Sequence, residues 1–259
     1  MTLAVDIRND LVTMGLREGE TWILVKRFGA SLSRTSDEYA MFMSAAADEL
    51  MQFDGIDLKT AWISSVVPLL TPLIAEAVTN AFGIGSRLIG PGIRTGLKIR
   101  TDQPAELGTD LVCAAVAARE LCRTSCVVID SGAALTFSAI NAAGEFEGVV
   151  IAPGMSSSLR ALRESTAQLP LVKLENPAHV IGRTTVQSIQ SGILFGYEGM
   201  VGGILERMQA ELEPGGEHVE VIGTGDELGR KVLAACGHVH FVPELALDGI
   251  AIIAGRNSA

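Results

Sequence analysis

The sequence predicts an α/β protein of two lobes, each built on a mixed sheet, with a cleft between them. Three observations predict it. The element order β-β-β-helix-β-helix can be read twice along the chain. Each reading opens on a short apolar run that ends in an aspartate and a tight turn: Leu3-Ala4-Val5-Asp6 running into Ile7-Arg8-Asn9-Asp10, and Val127-Val128-Ile129-Asp130 running into Ser131-Gly132-Ala133. The length of 259 residues suits two domains of moderate size, expected over residues 1–122 and 123–259. Paired turns of this kind suit a nucleotide, because small residues let backbone N–H groups approach phosphate oxygens while the aspartate holds a cation or a water.

In the first half, Leu3–Asp6, Val12–Leu16 and Thr21–Arg27 read as consecutive strands, separated by polar turns at Arg8–Asp10 and Arg17–Glu20. Ser36–Phe53 reads as a helix, with Ser36 able to cap it and Glu38 early in its first turn. Thr60–Val66 is a strand stopped by Pro68, Pro72–Phe82 a helix, and Pro104–Leu121 an alanine-rich helix. The pattern restarts with strands at Cys126–Asp130, Thr136–Asn141 and Phe146–Ile151. Helices follow at Ser156–Gln168 and from Thr184 to about Leu212. Val219–Gly223 is a strand, Asp226–Cys236 a helix, Val239–Phe241 a strand and Leu245–Arg256 a closing helix.

Apolar residues make up 48% and aromatics 5%, so aliphatics and alanine must build the core. A net charge of −10 argues against nucleic acid or an anionic membrane as partner, while leaving room for an anionic ligand in a local basic pocket. Cys113, Cys122, Cys126 and Cys236 form no CxxC and read as core or helix thiols of a reducing cytosol. His238 and His240 would share one strand face but lack further ligands nearby. The apolar run Ala61–Val78 holds Pro68, Pro72 and Glu76, so it is no membrane span, and the N-terminus with Asp6 and Asp10 is no signal peptide. A cytoplasmic protein is expected. On the long helix, Gly192, Gly196, Gly199 and Gly203 fall on one face. Each glycine costs a helix about 1 kcal/mol relative to alanine. The stripe reads either as close packing on the helix's own sheet or as a subunit interface.

Several stretches together resemble type III pantothenate kinases: Arg34-Thr35-Ser36-Asp37-Glu38-Tyr39, Ile63-Ser64-Ser65-Val66-Val67-Pro68, Gly90-Pro91-Gly92-Ile93-Arg94-Thr95-Gly96, Asp102-Gln103-Pro104-Ala105-Glu106-Leu107-Gly108-Thr109-Asp110, Ile151-Ala152-Pro153-Gly154-Met155, and Val180-Ile181-Gly182-Arg183-Thr184-Thr185 running into Ser188-Ile189-Gln190-Ser191-Gly192. They run in order over nearly the whole chain. The resemblance implies the acetate-and-sugar-kinase/Hsp70/actin fold, with two ribonuclease-H-like lobes. It implies ATP-dependent phosphorylation of the pantothenate hydroxyl, the first committed step to coenzyme A. Mg²⁺, a monovalent cation (K⁺ or NH₄⁺) and a homodimer are implied with it, the pantothenate pocket lying at the subunit interface. It further implies that Asp6, Arg8, Asn9, Asp10, Gly132, Ala133 and Gly225 line the nucleotide, and that Asp6 and Asp130 hold cations. Gly92, Gly108, Thr109, Leu111 and Thr185 would meet the substrate, with Asp110 as the general base. Read without the resemblance, Asp110 is equally a charge favouring a helix N-terminus.

The departures from the family pattern fall on the chemistry. The usual Asp-x-Gly-Asn-Thr is Asp6-Ile7-Arg8-Asn9-Asp10, and Arg8 would fit poorly if φ were positive there. Asp130-Ser131-Gly132-Ala133-Ala134-Leu135-Thr136 lacks two of the usual hydroxyls. Leu111 replaces an arginine that would grip a carboxylate, and Asp226 follows Gly223-Thr224-Gly225 where a glycine is usual. Losing one transition-state donor commonly costs about 10²–10³ in rate. The expectation is therefore a divergent paralog with weak or no activity alone, such as one subunit of a heteromeric kinase. Arg8 would serve either as a phosphate clamp or as a partner for Asp6 or Asp130. A kinase of the same fold for a different small alcohol and a non-catalytic regulatory protein stand as alternatives. Gly223-x-Gly225-x-x-x-Gly229 is too irregular a spacing to carry a dinucleotide-binding reading.

Overall fold

The computed structural model describes residues 1–50, 58–166, 169–170 and 172–258. The chain folds as two compact α/β units with mixed sheets. The first comprises Met1–Leu97, Asp102–Glu120 and Leu245–Ala259; the second comprises Lys98–Thr101 and Leu121–Glu244. The expected division at 122/123 thus differs from the observed grouping at the C-terminus, where Leu245–Ala259 belongs with the first unit.

In the first unit, strands β1 (Thr2–Ile7), β2 (Leu11–Glu18), β3 (Thr21–Gly29), β4 (Thr60–Ser65) and β5 (Gly85–Leu88) form one sheet in the order β3-β2-β1-β4-β5. β1 pairs antiparallel with β2 and parallel with β4, so it is covered along both edges. Its side chains alternate between faces. Leu3, Val5 and Ile7 join the core under helices α1 (Ser36–Leu50) and α2 (Thr71–Phe82), with Tyr39, Met43, Ile63 and Ile74. Ala4 points the other way, into a second core with Trp62, Cys113, Val116, Leu247, Ile250 and Ile253. That face is covered by α3 (Thr109–Leu121) and the C-terminal helix α7 (Leu245–Asn257). α7 lies so close to α3 that a Cβ on Gly249 would stand 1.8 Å from the Cys113 carbonyl oxygen. Trp22 Nε1 donates to Asp248 Oδ1 at 2.9 Å, which ties α7 to β3 as well.

In the second unit, β7 (Cys126–Ser131), β8 (Ala134–Ile140), β9 (Glu145–Pro153), β10 (Glu220–Gly225) and β11 (His240–Phe241) repeat the first sheet's plan. The order β11-β10-β7-β8-β9 matches β5-β4-β1-β2-β3 strand for strand, with β6 (Lys98–Ile99) added at the edge beside β9. Helices α4 (Met155–Glu164), α5 (Thr185–Leu212) and α6 (Glu227–Ala235) complete it. Val127, Ile129, Phe137, Leu194, Tyr197, Val201 and Leu233 share its core. No described helix is long and apolar enough to cross a membrane.

Differences from the sequence expectation have local causes. The expected helix Pro104–Leu121 is a short 3₁₀ turn, Pro104–Glu106, followed after Leu107 and Gly108 by α3. The cap of α1 is Thr35 rather than Ser36: the Thr35 N–H donates to Glu38 Oε2 at 2.8 Å and the Glu38 N–H to Thr35 Oγ1 at 3.3 Å, a reciprocal capping box. β5 and β6 are short edge strands without alternating apolar residues, so periodicity does not reveal them. The ends of the expected helices at residues 51–53 and 167–168 lie outside the described residues.

Two measurements test this packing. Gly249→Ala should lower the midpoint of thermal unfolding by several degrees, since overpacking a core costs about 1–3 kcal/mol. Gly255→Ala, in the same helix with nothing within 4 Å of the new methyl, should instead stabilise by roughly 0.5–1 kcal/mol. Glu145 binds Arg100 Nε and Lys98 Nζ, both at 2.7 Å. Hydrogen bonding by Arg100 first, then Lys98, holds its pKa down at about 2. This contribution is present above the unfolded carboxylate pKa and is lost as pH falls towards 2. Acid unfolding of Glu145→Gln should therefore respond less steeply to pH below about 4.5.

Candidate functional site

Strand alternation builds the centre of the site. With Leu3, Val5 and Ile7 committed to the α1/α2 face, Asp6 must follow Ala4 onto the α3 face. Its parallel partner in register is Ser64 of β4. Asp6 is 3% exposed, a buried carboxylate at the end of a central strand. Oδ2 accepts from Arg8 Nε at 2.7 Å. Oδ1 is sealed from solvent and has no hydrogen-bond partner among the described residues.

Arg8 sits just past β1, where its N–H donates to the Leu11 carbonyl at 2.9 Å and closes the hairpin around Asn9 and Asp10. No described non-glycine residue has positive φ, so the backbone here accommodates an arginine without strain. Of the two expected roles, the structure shows the pairing with Asp6, and the Arg8 side chain remains 24% exposed. Asn9 and Asp10 are exposed at the tip, and the Asp10 carbonyl accepts from the Ala30 N–H at 3.0 Å.

α3 brings Asp110 to the same region. Thr109, its first residue, is fastened to the end of β4: its hydroxyl accepts from the Ser65 N–H at 3.0 Å, donates to the Ser65 carbonyl at 3.1 Å and lies 3.1 Å from Ser64 Oγ. Asp110 is thereby held in the first turn. Its Oδ1 accepts from the Leu111 N–H at 2.8 Å and lies against Gly108, where a Cβ would come within 2.5 Å of it. One turn further on, Cys113 is buried beside Ser64. Burial first, then the negative charges of Asp6 and Asp110, push its thiol well above the ordinary range, while Arg8 opposes them. Cys113 thus lies within electrostatic reach of Asp6, Arg8 and Asp110. Ser64, Ser65 and Cys113 carried no expected role. The signal that could have found Ser64 is its place in the run Ile63-Ser64-Ser65-Val66-Val67-Pro68.

The other sequence-derived residues fall as follows. Leu111 is buried rather than presented to solvent. Gly92 has φ 89° in the turn closed by Ile93 N–H to the Gly90 carbonyl, a geometry that follows Pro91. In the second unit, Asp130 is buried at the end of β7, in register with Thr136 and Thr224. Gly132 and Ala133 form the β7–β8 turn, held by the Gly154 N–H and by Ser157 Oγ, both donating to the Ala133 carbonyl. Gly225, with φ 112°, lets β10 pass so close to Ser131 that a Cβ would stand 2.1 Å from its carbonyl oxygen. Asp226 caps α6, accepting from the Gly229 N–H at 2.6 Å. Thr185 is exposed in the first turn of α5, whose cap is Thr184 accepting from the Gln187 N–H at 3.2 Å.

Chemically, the first unit offers a half-buried carboxylate acceptor at Asp110 and a partly exposed cation at Arg8, suited to an alcohol and a phosphate. Asp6 is less suited to a divalent metal. Its Oδ1 edge is sealed and its Oδ2 edge already holds a guanidinium, whereas Mg²⁺ keeps several of its waters. Among the described residues there is no group of three or more His, Cys, Asp or Glu able to hold a metal.

Comparison with known proteins agrees with this architecture. Among solved structures, a Baf family protein from Campylobacter jejuni superposes with TM-score 0.59 at 17% identity, covering 99% of this chain and 98% of that one. The activator of 2-hydroxyisocaproyl-CoA dehydratase from Clostridium difficile, solved with bound ADPNP, superposes with TM-score 0.52 at 9% identity, covering 99% and 97%. These likenesses establish the two-unit actin-like fold. The type III pantothenate kinase of Myxococcus xanthus is 40% identical over 263 residues, covering 100% of both chains. That of Dehalococcoides mccartyi strain 195 is 38% identical, covering 99% of this chain and 98% of the relative. The family model for type III pantothenate kinase matches residues 2–207. On this evidence the chain belongs to the type III pantothenate kinase family.

Proposed function

We propose that this chain phosphorylates the hydroxyl of pantothenate at the expense of ATP, in coenzyme A biosynthesis, and that it does so slowly on its own. The observation that carries the reading is that Asp110 is fixed at the end of β4 by the bonds from Thr109 to Ser65, beside the strand that ends in the Asp6–Arg8 pair, in a chain of the type III pantothenate kinase family. When bound, ATP supplies the phosphoryl group. Asp110 takes the proton of the attacking hydroxyl, and the Asp110–Leu111 backbone contact orients its carboxylate for that role. Arg8 and Asn9 meet phosphate at the hairpin, while the exposed carboxylate of Asp10 opposes it. A metal accompanying the nucleotide has no ready ligand in Asp6 as it stands, so no step is assigned to one. The pairing of Arg8 with Asp6 also favours a second reading, a subunit whose catalytic power depends on a related partner chain.

The glycine stripe of α5 supports an assembly of two chains, either two copies or this chain with a relative. A Cβ built at Gly192, Gly196 or Gly199 meets nothing within 4 Å, so this face is not spent on packing against the chain's own sheet.

Two outcomes are expected. The purified chain should release ADP only when pantothenate is present, and Asp110→Asn should reduce that turnover by about 10²–10⁴ with thermal stability retained. ADP release that is indifferent to pantothenate would sink the substrate assignment, and an unchanged rate in Asp110→Asn the base. Sedimentation velocity should show a dimer that Gly196→Leu dissociates. A monomer in both proteins would count against the α5 interface.

A further inference from the structure

A carboxylate buried at a strand end needs a positive partner, and here the chain supplies one itself. Arg8 lies two residues beyond Asp6 along the chain and turns its Nε onto Oδ2 at 2.7 Å, the distance of a charge-assisted hydrogen bond. The opposite oxygen, Oδ1, is sealed from solvent, so an ion carrying its own waters has no approach on that side. A divalent ion forced onto the Oδ2 edge would stand beside a guanidinium and meet like-charge repulsion at close range.

We propose that Arg8 is the resident cation of Asp6: its guanidinium occupies the place a metal would take at the first loop, and the native chain does not bind a divalent cation there. Part of the Arg8 side chain still reaches solvent, so phosphate arriving at this hairpin encounters an arginine instead of a metal bound to Asp6. The statement about phosphate rests on the kinase reading above; the statement about the ion pair does not.

The test separates the two. Thermal unfolding of the full chain without nucleotide is followed with EDTA, with millimolar Mg²⁺ and with millimolar Mn²⁺, for the native protein, Arg8→Met, Asp6→Asn and the double variant. The native midpoint should not move with either metal. Arg8→Met keeps the aliphatic stem and removes the charge. It should unfold at a lower temperature in EDTA and recover by about 5 °C or more in saturating metal. That recovery should be absent when Asp6→Asn is added. Should Arg8→Met fail to fold, a Mn²⁺ titration followed by electron paramagnetic resonance on the native chain and on Asp6→Asn decides the matter. No site that depends on Asp6 is expected. A native chain whose metal response or Mn²⁺ site vanishes in Asp6→Asn would overturn the proposal, as would an Arg8→Met protein that folds and ignores metal. In a parallel arm, a non-hydrolysable ATP analogue should bind the native chain with an affinity that EDTA changes by less than about 3-fold, and should bind Arg8→Met more weakly. Failure of every variant to bind the analogue would refute the kinase reading while the metal response still decides the ion pair.

Discussion

The constraint on which the first unit turns is the burial of one carboxylate. β1 is paired along both edges and covered on both faces, so whatever stands at residue 6 is removed from water. Moving a carboxylate out of water costs several kcal/mol even after relaxation, unless charge and hydrogen bonds compensate it. The alternation of β1 leaves no choice of face, because Leu3, Val5 and Ile7 fill the core under α1 and α2. Asp6 therefore projects towards α3, and the groups that compensate it must come from that side or from the hairpin that follows. Arg8 comes from the hairpin, and its extended spacing of two residues puts it on the same face as Asp6.

The placement of α3 follows from the same neighbourhood. Ser64 stands beside Asp6 in register, and Ser64 and Ser65 engage the hydroxyl of Thr109, which sets where the helix begins. Gly249 then allows α7 to meet the backbone of α3 at Cys113 without an intervening side chain. Asp110 is thus positioned by contacts on two sides of its helix and by its own bond from the Leu111 N–H. A carboxylate held in this way, by polar ties at the helix start and close packing behind it, has little freedom to drift, which is what proton transfer to a positioned base demands.

Much of this was legible in the sequence, and what was not has physical reasons. Strand runs ending in Asp6 and Asp130 announced the duplication, because buried strands in a repeated order leave an apolar signature. The repeated sheet order bears it out. The start of α3 was misplaced to Pro104 because Pro104 with Glu106 reads as a helix N-terminus ahead of the alanine-rich run, although Gly108 interrupts the helical propensity between them. The determinant is Thr109 reaching Ser65, a contact 44 residues away in sequence. That Leu245–Ala259 packs with the first unit was equally hidden, since an apolar helix does not name the sheet it covers. Arg8 looked strained because the family pattern has glycine there. The ordinary φ of this hairpin shows that glycine's conformational freedom is not required.

The departures in the loops share a character that bears on how such a chain handles ligands. Arg8 pairs with Oδ2 of Asp6, and Asp226 accepts from the Gly229 N–H at the start of α6. An N-cap of this kind contributes about 0.5–2 kcal/mol, and breaking a buried ion pair costs about 3–5 kcal/mol. In these two loops the Asp6 Oδ2 edge and the Gly229 N–H, which a ligand or ion could otherwise engage, are already bonded from within the chain. A ligand that required Asp6 or the α6 N-terminus would first have to give up those contacts, and its net affinity would fall by their worth. Only a ligand that uses Arg8 and Asp226 where they stand escapes that cost. The substitutions are thus coupled to the backbone around them. Restoring a glycine at residue 8 would remove a side chain and also leave a buried charge without its partner, so the first loop cannot be returned to the family pattern by a single exchange without supplying a cation in place of the guanidinium.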